Sequence, residues 1–231
     1  MKKAAVIESE GLNFSYGTDS VIENANFSIY PGEYIGIIGP NGGGKTTLLR
    51  LMLGLLKPTS GKIKNASASS VGYVPQQLHF DRSFPITVLE VVLMGLLSKM
   101  RFWGGFSKAD KKSALEIIEH VGLSKYAHES FSKLSGGQRQ RALVARALVK
   151  KPKTLFLDES FASCDATSKK CISDLLLDLK AEKKTTICMV THELAHAVDV
   201  VDRVLCVEKN VTEFKASEVC EHFAMGLIIR R

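Results

Sequence analysis

Hydrophobic and polar side chains alternate from about residue 5 to residue 29, in AVIESEGLNFSYG and again in SVIENANFSIY. That is the period-2 signature of half-buried strands. The Gly17-Thr18-Asp19 stretch between them predicts a turn, so the two runs form an antiparallel pair at an edge of the fold. After Pro31-Gly32 the pattern changes. YIGII, residues 34–38, is a continuous apolar run and reads as a buried strand, followed by a glycine loop and an apolar helix over 46–56. From about residue 78 to residue 132 the strand signature gives way to helical spacing, in TVLEVVLMGLLSKM and in SKADKKSALEIIEHVGL, where Ser107 and Asp110 stand at capping-box distance. The remainder alternates again: helix 137–149, strand TLFLD, helix 168–181, strand TTICMVT, helix 193–200 and strand RVLCVEK. Strands and helices in that order predict an α/β fold with a largely parallel sheet covered on both faces, an antiparallel β edge and an α-helical insertion. The expected division is an α/β core from residues 1–77 and 133–231, with 78–132 inserted as a helical subdomain.

Composition narrows the function classes. A chain of 231 residues with 45% hydrophobic and 24% charged residues can bury a core without disulfide or metal staples. Its five cysteines are odd in number and never fall in a CxxC spacing, which argues against a disulfide framework or a zinc ribbon and for a reducing compartment. MKKAAVIESEG lacks the apolar stretch of a secretory signal, and LLRLMLGLL is too short to span a bilayer, so association with a membrane is expected through a partner. Lys plus Arg exceed Asp plus Glu by 31 − 24 = +7, which suits a polyanion. There is no long basic run and no aromatic/basic RNP-like pattern, so no direct nucleic-acid ligand is expected.

The anion that the motifs point to is a nucleotide phosphate. Gly39-Pro40-Asn41-Gly42-Gly43-Gly44-Lys45-Thr46 satisfies G-x-x-x-x-G-K-[ST] and lies between a predicted strand and a predicted helix, the context that identifies a P-loop NTPase core. The glycines let backbone N–H groups turn toward phosphate oxygens at a helix N-terminus. Lys45 neutralises the β- and γ-phosphates, Thr46 offers a hydroxyl to Mg²⁺, and Thr47 can donate to the α-phosphate. A glycine turn that merely links strand to helix is the plain alternative. In Thr154-Leu155-Phe156-Leu157-Asp158-Glu159 an apolar strand ends in two carboxylates. Asp158 suits the metal's water shell and Glu159 can polarise an attacking water. Alone this is an ordinary strand with an acidic turn; paired with the glycine loop it implies ATP and Mg²⁺.

Leu134-Ser135-Gly136-Gly137-Gln138 lies between these elements, and with it the chain resembles, over nearly its whole length, the ATP-binding subunits of ATP-binding-cassette transporters. The resemblance implies an ATP hydrolase whose signature residues meet ATP held by a second copy, giving a head-to-tail dimer with two composite sites. Ser135 and the amides of Gly136 and Gly137 at a helix start suit that role. It also implies roles for Tyr16 stacking on adenine, Gln76 (less so Gln77) touching Mg²⁺ and water, Asp165 crossing the dimer interface and His192 sensing the γ-phosphate. Tyr16 reads locally as a strand tyrosine and Asp165 as a helix N-cap. Further implications are integral membrane permease subunits reached near Gln76 and the apolar residues Phe80, Phe84, Met100, Phe102 and Trp103, an extracytoplasmic substrate-binding protein as indirect partner, and a peripheral place on the cytoplasmic face of the cell membrane. The stretches FPITVLEVVLMG and DESFASCD look most like bacterial importers of zinc, manganese or iron. Ser160, where proline is usual, and Cys164, where a small or aliphatic residue is usual, depart from the pattern. A non-transport ATPase of the same family and a weakly hydrolysing regulatory subunit are the alternatives. His192-Glu193-Leu194-Ala195-His196 also matches the H-E-x-x-H zinc helix. Its first histidine, however, is expected at a strand-to-helix junction, where the two imidazoles would not share a face.

Overall fold

The computed structural model describes residues 4–67, 70–76, 85–100, 105–158, 165–182, 185–191 and 200–216. The opening alternation forms β1 (Ile7–Tyr16) and β2 (Asp19–Ile29), antiparallel and joined by a tight turn. Every inward residue of the pattern, among them Ile7, Leu12, Phe14, Ile22, Phe27 and Ile29, is buried. A strand that the alternation did not reveal, β4 (Ser60–Asn65), pairs with the other edge of β1. Its sequence SGKIKN is mostly exposed, so it carries no apolar period to read.

The second sheet runs β5 (Val71–Val74), β6 (Thr154–Asp158), β7 (Thr186–Val190), β3 (Tyr34–Ile38), β8 (Arg203–Glu208) and β9 (Asn210–Lys215), in that spatial order among the described residues. The first five are parallel and β9 returns antiparallel to β8. All residues of β3, β6 and β7 are buried, which is why their sequences are continuous apolar runs rather than alternating ones. The short strands β5 and β9, on the outer edges, fall outside that signature.

The helix after the glycine loop, α1 (Lys45–Met52), ends four residues before the expected position 56. Gly54 at φ 73° closes it: its N–H bonds the Leu51 carbonyl at 3.0 Å and the Leu55 N–H bonds Arg50 at 2.9 Å, a Schellman ending. The described part of residues 78–132 is built on helices. It holds α2 (Val88–Leu93), capped reciprocally by Thr87 and Glu90, a 3₁₀ segment over Met94–Lys99, and α3 (Lys108–His120), where Ser107 and Asp110 form the expected capping box. Then come α4 (Gly136–Leu148) and α5 (Ala166–Ala181), which begin one and two residues ahead of the sequence reading because Ser135 and Asp165 cap them. The helix expected over 193–200 lies outside the described residues.

Two apolar clusters hold the elements. One joins β1, β2 and α1 to Phe156, Cys188 and Leu205 of the parallel sheet. The other joins Val88 and Val92 of α2 and Ala114 and Ile118 of α3 to Ala142 and Leu148 of α4 and to Leu155 and Leu157 of the sheet. α2 and α3 therefore share a core with α4. Arg203 stitches the two sheets: its guanidinium bonds the Ser28 carbonyl at 2.6 Å, Glu33 at 2.8 Å and Glu213 at 2.5 Å.

Candidate functional site

The loop after β3 folds against β8. Gly39 has φ 146°, and a Cβ placed there would lie 2.1 Å from the Val207 carbonyl oxygen, so only glycine allows this approach. Gly44, at φ 101°, is the N-cap of α1 and offers no side-chain cap to its first turn, the kind of helix start that suits an anion. Lys45 is buried, and its ammonium lies over the loop, donating to the Gly39 carbonyl at 3.1 Å and the Pro40 carbonyl at 2.9 Å. Thr47 is also buried, while Pro40, Asn41 and Gly42 form the exposed tip. The Thr46 hydroxyl donates to Asp158 Oδ1 at 3.1 Å, and Asp158 is 2% exposed at the end of β6. A hydroxyl and a buried carboxylate at this separation are hard oxygen donors that fit Mg²⁺ together with substrate phosphate and water.

The structure adds a residue that sequence reasoning missed. Tyr73 of β5 pairs with Phe156. Its phenol is pushed above its ordinary value by burial, by the Asp158 charge and by a hydrogen bond with Asp158, with Arg50 opposing. The register that brings Tyr73 to Asp158 is invisible until β5 is known to lie beside β6. Gln76 follows two residues after Val74, which pairs with Leu157, so it leaves the sheet at the same edge as Asp158. Tyr16 is 48% exposed at the hairpin end and stands edge-on to Phe14, with ring centroids 4.8 Å apart. The hairpin leans on the phosphate loop: a Cβ at Gly44 would meet Ile22 at 3.0 Å and Val21 at 3.1 Å.

At the signature, Ser135 and Gln138 cap α4 reciprocally: the Ser135 N–H donates to Gln138 Oε1 at 2.9 Å and the Gln138 N–H to Ser135 Oγ at 3.3 Å. Ser135 and Gly136 are exposed, whereas Gly137 is buried. A Cβ on Gly137 would lie 2.4 Å from both Asp165 Oδ2 and Ser168 Oγ, so the start of α4 rests directly on the start of α5. Asp165 takes the local role read for it, an N-cap: it accepts the Ser168 N–H at 2.9 Å and the Ser168 hydroxyl at 3.0 Å. These bonds, with a smaller contribution from the Arg141 charge, hold its carboxyl below the usual range. Because the folded value is depressed, the stabilisation is present above the ordinary aspartate value of about 3.9 and is lost as pH falls through the folded value. Asp165→Asn keeps a capping side chain and removes this term, so thermal melts from pH 7 down to pH 3 should show a shallower loss of stability for the variant than for the parent.

Glu159, Ser160, Cys164, Gln77, His192, His196, Phe80, Phe84, Phe102 and Trp103 lie outside the described residues, and the H-E-x-x-H alternative lies there with them. The flanking strands still define an edge. Asp158 pairs with Val190, and the Thr191 N–H donates to the Ile37 carbonyl at 3.1 Å. Asp158 and Thr191 therefore stand at the carboxyl end of the parallel strands, where ligands bind in open α/β sheets. Among the described residues, no group of three His, Cys, Asp or Glu side chains is placed to hold a metal ion, and no helix is long and apolar enough to cross a membrane.

Comparison with known proteins agrees with this geometry. A family model described as ABC transporter matches residues 22–162. A protein of Chlamydia muridarum named a probable metal transport system ATP-binding protein is 42% identical over 219 residues, covering 92% of this chain and 91% of its own. The zinc import ATP-binding protein ZnuC of Mannheimia succiniciproducens is 37% identical over 209 residues, covering 90% of this chain and 75% of its own. A dimeric bacterial ABC transporter cassette of known structure superposes with a TM-score of 0.78 at 29% identity, over 91% of this chain and 98% of the other.

Proposed function

The chain belongs to the ABC transporter family, and from that premise we propose that it is the ATP-hydrolysing subunit of a metal-ion importer, with zinc, manganese or iron as cargo. The observation that carries the ATPase part is the bond from Thr46 to the buried Asp158 carboxylate, beside Lys45 and its glycine loop. The cargo class rests on the metal-transport and zinc-import names of relatives at 42% and 37% identity. In this reading residues 1–77 and 133–231 form the nucleotide-binding core and 78–132 the helical subdomain. Two copies pair head to tail on the cytoplasmic face of the membrane, against permease subunits served by an extracytoplasmic binding protein. The exposed Met94 and Leu97 of the 3₁₀ segment, with the exposed Met100 just after it, suit the permease side of the insertion.

Each chain contributes two halves of chemistry. Lys45 exchanges the Gly39 and Pro40 carbonyls for β- and γ-phosphate oxygens, while the first amides of α1 surround the same phosphates. Thr46 and Asp158, with Gln76, would hold Mg²⁺, which would supply positive charge to offset that of the phosphates. Tyr16 stacks on adenine. From the second chain, Ser135 and the Gly136 and Gly137 amides close on the γ-phosphate, with Gln138 keeping that first turn in shape and Asp165 lying beside it. Glu159 orients a water whose oxygen bonds to the γ-phosphorus as the bond to the ADP oxygen breaks; the proton passes through Glu159 to the released phosphate. His192 contacts the γ-phosphate, so its loss reopens the pair.

The test is ATP-dependent association of Glu159→Gln, followed by size exclusion with Mg²⁺. A dimer should form only with ATP and should disappear when Ser135→Arg is added, because a bulky cation then fills the phosphate position. A variant that binds ATP at high protein concentration yet stays monomeric contradicts the shared-site reading.

A further inference from the structure

One helical turn after Gly137, on the same face of α4, Arg141 joins α4 to the end of α3. Its Nη1 donates to the Val121 carbonyl at 3.0 Å and reaches the Gly122 carbonyl at 3.4 Å, both at the C-terminal end of α3. That end closes in a Schellman motif, with the Leu123 N–H on Ile118 at 2.9 Å and the Gly122 N–H on Glu119 at 2.8 Å. The closure uses the carbonyls of Ile118 and Glu119 and leaves those of Val121 and Gly122 to Arg141. Val121 and Leu123 are fully buried, so water is a poor substitute there. The guanidinium also sits at the negative end of the α3 dipole. Gly122 has two reasons to be glycine: its φ of 65°, and a Cβ that would stand 3.1 Å from Nη1.

In the other direction the same face of α4 meets α5. Gly137 rests on Asp165 and Ser168, and the charge of Arg141 acts on the Asp165 carboxylate. Asp165 is the first described residue after the segment that starts at Glu159. Arg141 thus lies on the α4 face between the C-terminal end of α3 and the contact of Gly137 with the start of α5. Its Nε is buried without a hydrogen-bond partner among the described residues, a cost that location explains better than stability does.

We propose that Arg141 is a positioning residue of the composite site: it fixes the C-terminal end of α3 to α4, so that Ser135 and Gly136 meet the second chain's phosphate in one orientation. The inference rests on the shared-site reading above. It predicts that the insertion and the signature move as one body, and that loosening the clamp weakens closure without touching nucleotide binding by the phosphate loop.

The experiment uses the full chain with Arg141→Lys, which keeps the charge and loses the fork, and with Arg141→Gln, which loses both. In the Glu159→Gln background the protein concentration at half-dimerisation with ATP and Mg²⁺ should rise on the order of tenfold for Lys, the effect of one charge-assisted hydrogen bond, and further for Gln. In the monomeric Ser135→Arg background the ATP dissociation constant should stay within about twofold, and the melting temperature should change by no more than a few degrees for Lys. An unchanged dimer midpoint overturns the proposal. So does a parallel fall of dimerisation, ATP affinity and melting temperature in the Lys variant, which would make Arg141 structural only. If Glu159→Gln itself never dimerises with ATP, the shared-site reading fails first and this inference falls with it.

Discussion

Gly39→Ala is expected to abolish ATP binding and to lower unfolding free energy by about 3–5 kcal/mol, the sum of a strained backbone and an overpacked contact. The added methyl would sit 2.1 Å from the backbone carbonyl oxygen of Val207, a fully buried residue held in the sheet by β9. The loop must then lift from β8, which moves the Gly39 carbonyl that now receives the Lys45 ammonium at 3.1 Å and rotates the amides meant for phosphate. Gly42 is the control inside the same loop. Its φ of 77° also favours glycine, but nothing lies within 4 Å of an added Cβ. Gly42→Ala should therefore cost about 1 kcal/mol and retain measurable ATP binding. Urea unfolding and equilibrium binding of a fluorescent ATP analogue, run on both variants, check the contrast. Equal losses at the two positions would mean that backbone freedom, not the approach to Val207, is what the loop needs.

The second large effect falls on chemistry and spares the fold. Lys45→Met should cut ATP turnover by at least about a hundredfold, the scale on which one preorganised charge stabilises a developing transition state. The unfolding free energy should change by no more than about 1 kcal/mol, because the carbonyls that the ammonium leaves, on Gly39 and Pro40, sit in a partly exposed loop where water can replace it. Methionine fills the buried stem position without a charge. Phosphate release under saturating ATP and a parallel thermal melt separate the two quantities. If the melt collapses together with the turnover, Lys45 is a structural strut of the loop rather than its phosphate ligand.

Much of this site was legible one residue at a time. Each phosphate-loop residue, Asp158, Ser135 and Gln138 announces itself through local spacing, because a loop between strand and helix and a capped helix start are built from neighbours in sequence. Local signals also overran: the apolar residues after Met52 extend the helical pattern of α1, yet Gly54 in a left-handed conformation ends it. Edge strands went unread for the opposite reason, since β4 and β9 bury too little of themselves to carry an apolar period.

By itself the sequence determined the alternating hairpin, the three buried parallel strands, the capped helices and the chemistry of each loop, because all of these depend on residues within a few positions of one another. Tertiary structure decided which partners those residues meet. Thr46 and Asp158 stand 112 residues apart and become a metal-fitting pair only when β6 lies in the sheet beside α1. Gly39 proves indispensable only where β8 passes behind it, Tyr73 matters only once β5 is in register with β6, and Arg141 becomes a clamp only where α3 ends against α4. Register and helix packing are long-range choices, made by the sum of buried contacts, and no local spacing encodes them.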